Sequence, residues 1–104
     1  MNEIDTSDMD SLKRKLNQDT AKIRWSSLAE HQAQEAVVEV DASLDLILVG
    51  CEFVRDSRDQ VADWLREGLI SKVSDDKAKV WLQDDREMWA VVVAPWVLVQ
   101  MLKS

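Results

Sequence analysis

The sequence predicts a small α+β domain in which helices pack on a mostly antiparallel or mixed β-sheet. Residues 88–102 carry no charged side chain, although 32% of the 104 residues are charged. Other segments repeat apolar residues at helical spacing and begin with residues that cap helices. Because a chain of this length has room for one core, residues 8–104 are predicted to form a single domain after a polar, disordered segment 1–7.

The uncharged C-terminal block is predicted to form two strands, 88–94 and 96–102. Its valines favour strands, and Pro95 has no N–H with which to continue either element. A membrane helix needs roughly 17–25 apolar residues, so the block is too short and too interrupted to be one. Both alternating faces of the first strand are apolar, which predicts burial on both sides by helices or by another subunit. On this basis Val92 is expected in the interior.

The N-terminal half is predicted to contain two helices and a β-hairpin. The first helix should run from residue 7 or 8 to about 23, and the second from 26 or 27 to about 34. Residues 36–41 and 44–54 then change to an extended, β-rich pattern. The intervening Asp41-Ala42-Ser43 has turn chemistry, which makes a hairpin the simplest interpretation.

The second half is predicted to add two helices around a short strand. One helix begins at Asp56 or Ser57 and stops at Gly68, and residues 69–73 follow as a strand. Ser74 then caps a further helix that leads to the terminal block. The predicted order of elements is therefore ααββαβαββ.

Composition argues against several classes of function. A net charge of −7 is unfavourable for a nucleic-acid surface. With one cysteine and one histidine, the chain lacks the ligands of a structural zinc site, and Cys51 within an apolar run is expected to be a packed thiol. The first ten residues lack a secretory signal, which makes the cytoplasm the expected location. No catalytic residue, metal ligand or cofactor is assigned.

Four residues are candidates for an interface or a pocket. Asp41 and Asp45 flank the predicted turn, where hydrogen bonding within the turn is their simplest role and acid–base work the alternative. Trp96 follows Pro95 at the break in the sheet and could present its ring to a partner or a small-molecule cleft. The helical spacing of Trp64 and Trp81 instead predicts core positions.

The chain resembles a small bacterial family. The resemblance lies in three stretches, residues 89–100 (WAVVVAPWVLVQ), residues 38–46 (VEVDASLDL) and residues 73–81 (VSDDKAKVW), and it covers about residues 10–101. These stretches are similar to the uncharacterised family called domain of unknown function 2288. The resemblance implies a stand-alone bacterial protein without an assigned reaction, cofactor or catalytic residue.

Two hypotheses about function follow from the sequence. The favoured one is a non-enzymatic cytoplasmic protein that binds a protein partner or itself, as a homodimer that meets across the terminal strands. Its basis is that four short helices must cover two apolar sheet faces. The alternative is a small-ligand or catalytic site formed by Asp41, Asp45 and Trp96, which requires the three side chains to converge on one pocket. Neither hypothesis involves nucleic acid or a membrane.

Overall fold

The computed structural model describes residues 9–102 and has the predicted α+β architecture. The helical elements are α1 (Met9–Asp19), a 3-10 helix (Trp25–Leu28), α2 (Ala29–Ala33), α3 (Leu46–Val54), α4 (Arg58–Arg66) and α5 (Asp75–Gln83). The strands are β1 (Ala21–Arg24), β2 (Val37–Val40), β3 (Ile70–Lys72), β4 (Glu87–Val93) and β5 (Trp96–Met101). The predicted disorder of residues 1–7 lies outside the described residues.

The five strands form one mixed sheet in the order β1-β4-β5-β2-β3. Strands β2 and β5 are parallel, and the other neighbouring pairs are antiparallel. The two strands predicted for the uncharged block are therefore present, and they lie at the centre of the sheet. A cis Ala94–Pro95 peptide bond lies in the turn that joins them.

Helices cover both faces of the sheet. On the first face α1, α3 and α4 bury residues that include Leu16, Val49, Trp64, Val91 and Leu98. On the second face the 3-10 helix and α5 bury a cluster that includes Trp25, Leu28, Trp81, Met88 and Val97. The predicted core positions of Trp64 and Trp81 are confirmed. Trp25 packs edge-to-face on Trp81, with ring centroids 4.9 Å apart.

Coverage of the second face is incomplete at Val92. This side chain is 57% exposed, so the expectation that it lies in the interior is wrong. Its neighbour Val91, which points to the first face, is only 1% exposed. The terminal block is thus buried on both sides along most of its length, but one side is open near the β4–β5 turn.

The first predicted helix is too long. It ends at Asp19 rather than near Ile23, and Thr20 Oγ1 donates a hydrogen bond to the Leu16 carbonyl where the helix stops. Ala21–Arg24 then pairs with β4 as the edge strand β1, which the sequence did not predict. Only Ile23 in this strand is partly buried, so its apolar pattern is too short to reveal a strand.

The predicted strand 44–54 is a helix. Leu46–Val54 forms α3, so there is no β-hairpin between residues 36 and 54. Gly50 lies in α3 against α1, where an added Cβ would sit 3.0 Å from Leu16 Cδ1. The observed order therefore differs from ααββαβαββ by one added strand and by one helix in place of a strand.

Among the described residues, no helix has both the length and the apolar character required to cross a bilayer.

Candidate functional site

The two candidate aspartates hold the connection between β2 and α3. Asp41 Oδ2 accepts a hydrogen bond from the Ser43 backbone N–H (2.9 Å), and Asp45 Oδ1 accepts one from Ile47 N–H (2.9 Å) at the start of α3. The hydrogen bonds from Ser43 lower the pKa of the Asp41 carboxyl below its usual range. Both carboxylates therefore shape the backbone here, as turn and cap chemistry predicts.

Gln100 fixes the same connection from the sheet, a role that the sequence analysis missed. Its Nε2 donates to the carbonyls of Asp41 (2.9 Å) and Leu44 (2.8 Å), which joins β5 to the β2–α3 loop. A polar residue within an otherwise apolar strand was the available signal, because such a side chain needs hydrogen-bond partners when it is partly buried.

Trp96 lies at the opposite end of β5 from these aspartates. The first and last residues of β5, Trp96 and Met101, are separated by about 17 Å at roughly 3.3 Å per residue. Asp41 follows β2, which runs parallel to β5, and therefore lies near the Met101 end. Asp45 and Trp96 line different cavities. The structure does not bring the three candidates into one pocket.

The first cavity beside Trp96, which we call the α4 groove, lies between the sheet and the α3–α4 corner. It has a volume of about 320 Å³. Its apolar lining comprises Val38, Phe53, Val61, Ala62, Leu65, Ile70 and Trp96. Its charged lining comprises Glu52, Asp56, Arg58 and Lys72. The Lys72 ammonium lies 5.4 Å from the centroid of the Trp96 ring.

The second cavity, which we call the turn cavity, lies between α1, the end of α3 and the β4–β5 turn. Its volume is about 630 Å³. Val54, Val92 and Pro95 belong to its lining, and Val54 and Val92 are exposed. Trp96, Phe53 and Asp56 line both cavities. Two of the four candidates, Pro95 and Trp96, therefore belong to one continuous, largely apolar surface.

The end of β4 beside the turn cavity has an open edge. Strand β1 pairs with β4 only as far as Ala90, so residues 91–93 have no strand on that side. The Trp25 N–H donates a hydrogen bond to the Arg86 carbonyl (2.8 Å). Because backbone groups alternate in direction along a strand, the N–H and C=O groups of the even-numbered residues of β4 point toward β1. Val92 therefore directs its backbone N–H and C=O toward the open edge.

A second hydrogen bond supports this orientation. Val97, which is opposite Val92 in β5, donates its N–H away from β4 to the Ala36 carbonyl (2.9 Å). Val92 and Val97 are thus a non-hydrogen-bonded pair, and neither polar group of Val92 is used by β5. Within residues 9–102, no hydrogen bond to the Val92 backbone is present on the open side.

The cysteine and the histidine lie in different parts of the fold. Cys51 is buried in α3, and burial raises the pKa of its thiol. His31 lies in α2 on the other side of the sheet, where its Nδ1 is buried without a hydrogen-bond partner in the described part of the chain. Across residues 9–102, no group of three His, Cys, Asp or Glu side chains is placed to hold a metal ion.

Together these features define a small α+β domain with a five-stranded mixed sheet, helices on both faces and an apolar surface at one end. The family model described as "Protein of unknown function (DUF2288)" matches residues 11–101, and the chain belongs to that family. The resemblance identified from the sequence is thereby confirmed.

One solved structure is similar over nearly the whole chain. It is the NMR solution structure of PA1075 from Pseudomonas aeruginosa, which is 42% identical to this chain. The match covers 99% of this chain and 95% of that chain, with a TM-score of 0.78. Comparison with curated proteins finds no match. These comparisons establish the family and the fold and assign no biochemical role.

Proposed function

We propose that this protein is a non-enzymatic, cytoplasmic module that acts through protein contact, and that its partner at the β4 edge is a second copy of the same chain. The observation that carries the proposal is the open edge at Val92, where a backbone donor, a backbone acceptor and an exposed apolar side chain occur together. An unpaired strand edge is a ready site for pairing with another chain.

The proposed dimer has a two-fold axis near Val92. In that arrangement each Val92 N–H faces the Val92 C=O of the other copy, because a two-fold axis brings the same surface of both subunits into contact. The rim formed by Val54, Pro95 and Trp96 then supplies apolar area beside the backbone contact. This differs from pairing along the whole of the terminal strands, since β5 and most of β4 are interior to the sheet.

Charge favours this surface as the meeting point. The chain has a net charge of −7, so two copies repel each other over most orientations. The charged groups beside the turn cavity are already paired, Lys15 with Asp19 at 2.7 Å and Asp56 with Arg58 at 3.2 Å. These ion pairs lower the electrostatic cost of approach at the turn cavity.

The test is the molar mass in solution. Light scattering and sedimentation at micromolar concentration should show a species of twice 11.9 kDa. Val92→Glu should shift the population to monomer, because each dimer would place two carboxylates at its axis. The side chain is 57% exposed, so the monomer should keep its fold.

The matched control is Leu82→Glu. Leu82 is 55% exposed on α5 and adds the same charge at a position that does not line the turn cavity. A wild-type chain that remains at 11.9 kDa, or equal dissociation by both variants, would contradict the proposal.

A further inference from the structure

We infer that the α4 groove is a binding site for a small amphiphilic monocarboxylate, with the carboxylate at Lys72 and the apolar body between Trp96 and α4. This function is separate from the proposed self-association, which uses the edge at Val92. The inference comes from three features of the groove: its cation without an ion pair, its apolar walls and its position on the face of the sheet.

Of the two cations that line the groove, Lys72 is the one that forms no ion pair with the described residues. No carboxylate of the described residues lies within salt-bridge distance of its ammonium, which instead lies over the Trp96 ring. The other charges of the groove are already engaged. Arg58 forms an ion pair with Asp56. The Glu52 carboxylate accepts a hydrogen bond from the Ser57 hydroxyl (3.2 Å) and forms an ion pair with Arg55 (3.6 Å). An anionic group entering the groove would therefore find one available positive charge.

The remaining walls suit an apolar body. Phe53 and Val61 are partly buried between the helices and the sheet, and Leu65 is 52% exposed at the rim. A groove of about 320 Å³ lies within the range typical of small-ligand sites, which roughly begins at 300 Å³. Covering this apolar area with hydrocarbon would provide affinity, while Lys72 would orient the polar end.

The position of the groove on the face of the sheet argues against a peptide as the occupant. On the sheet side, side chains of Val38, Ile70 and Lys72 line the groove, so an occupant contacts the face of the sheet and does not pair with the free edge of β3. Without strand pairing, the amides of a peptide would lose their water against apolar walls, which is unfavourable. A ligand with one polar end avoids this cost, and its carboxylate complements Lys72.

Octanoate is the probe, titrated below its micellar concentration into the ¹⁵N-labelled full chain. The indole N–H signal of Trp96, assigned with Trp96→Phe, should shift and saturate together with amide signals of α4. Octyltrimethylammonium has the same chain and the opposite charge, and it should bind much more weakly. Butyrate keeps the carboxylate, and it should bind weakly for lack of apolar area.

Two matched pairs of variants locate the site. Lys72→Met should weaken octanoate binding by about tenfold or more, as expected for loss of a charge-assisted contact, whereas Lys79→Met on α5 should leave it unchanged. Leu65→Gln should weaken binding, whereas Val80→Gln, at an equal 52% exposure, should not.

The same titration on Val92→Glu separates this inference from the proposed dimer. Octanoate should bind this variant as it binds the wild type, whatever the oligomeric state. Shifts that do not saturate, equal binding of the ammonium analogue, or unchanged binding by Lys72→Met would overturn the inference.

Discussion

Asp85 connects two elements that are distant in sequence. Its Oδ1 accepts a hydrogen bond from the Ser26 backbone N–H (2.9 Å), and its Oδ2 accepts one from the Ser26 hydroxyl (3.1 Å). The first of these contacts is the main cause that lowers the pKa of Asp85 from 3.8. Asp85 also adopts a left-handed backbone with φ of 46°, which Asp tolerates better than most residues. The sequence identified this segment only as a loop, because the partner lies 59 positions away.

We expect Asp85 to contribute to stability at neutral pH and to lose that contribution in acid. Its folded pKa is depressed, so its stabilisation is present above 3.8 and disappears as the pH falls through the lowered value. Asp85→Asn should therefore lower the urea midpoint at about pH 7, and its difference from the wild type should shrink by about pH 3. Asp84→Asn is the control. An Asp85→Asn deficit that is constant with pH would contradict the assignment.

At the scale of elements, the sequence predicted a helix correctly where the apolar periodicity and the capping residue indicated the same helix. Residues 75–83 show this, since Ser74 caps α5 by accepting a hydrogen bond from the Lys77 N–H. Local sequence signals were insufficient at α3, because LILVGCEFV is apolar on nearly every side and its pattern predicts a buried strand. Burial between α1 and the sheet makes that sequence helical, and this tertiary contact has no local signature. The same holds for the candidate site, because the neighbours of Trp96 come from distant elements.

The signal that could have identified α3 is Asp45, whose side chain caps its first turn. Asp45→Ala should destabilise the protein by about 1 kcal/mol in chemical denaturation. Asp45→Asn should stay within a few tenths of a kcal/mol of the wild type, because Asn caps helices about as well as Asp. Equal losses in both variants would indicate that charge, rather than capping, is what the position supplies.

At the scale of the whole molecule, the two faces of the sheet are covered unequally. Three helices of nine or more residues lie over the first face. The second has the short 3-10 helix and α2 together with α5, and it leaves Val92 uncovered. The sequence analysis expected four helices to cover the two faces, whereas residues 9–102 form five α-helices and a 3-10 helix, and it could not divide the helices between the faces. That division depends on the path of the chain, which places the open area beside the β4–β5 turn.

Adjacent valines should therefore respond oppositely to the same substitution. Val91→Asp places an unpaired charge among the residues of the first face and should abolish cooperative unfolding, since its cost of several kcal/mol rivals the total stability of a small domain. Val92→Asp should retain a cooperative thermal transition, with its midpoint lowered only by the loss of the proposed dimer. Calorimetry of the two variants checks this, and loss of the transition in Val92→Asp would show that the second face is closed.

The order of the strands also has a consequence for synthesis of the chain on the ribosome. Strand β5 is the link between two parts of the sheet, β1 with β4 on one side and β2 with β3 on the other. Among the strands of residues 9–102 it is also the last to leave the ribosomal tunnel, since chains grow from the N-terminus. Until Trp96–Met101 emerges, β2 and β3 have no strand connection to β1 and β4. Completion of the sheet therefore requires β5, and until it emerges the facing edges of β4 and β2 lack their strand partner.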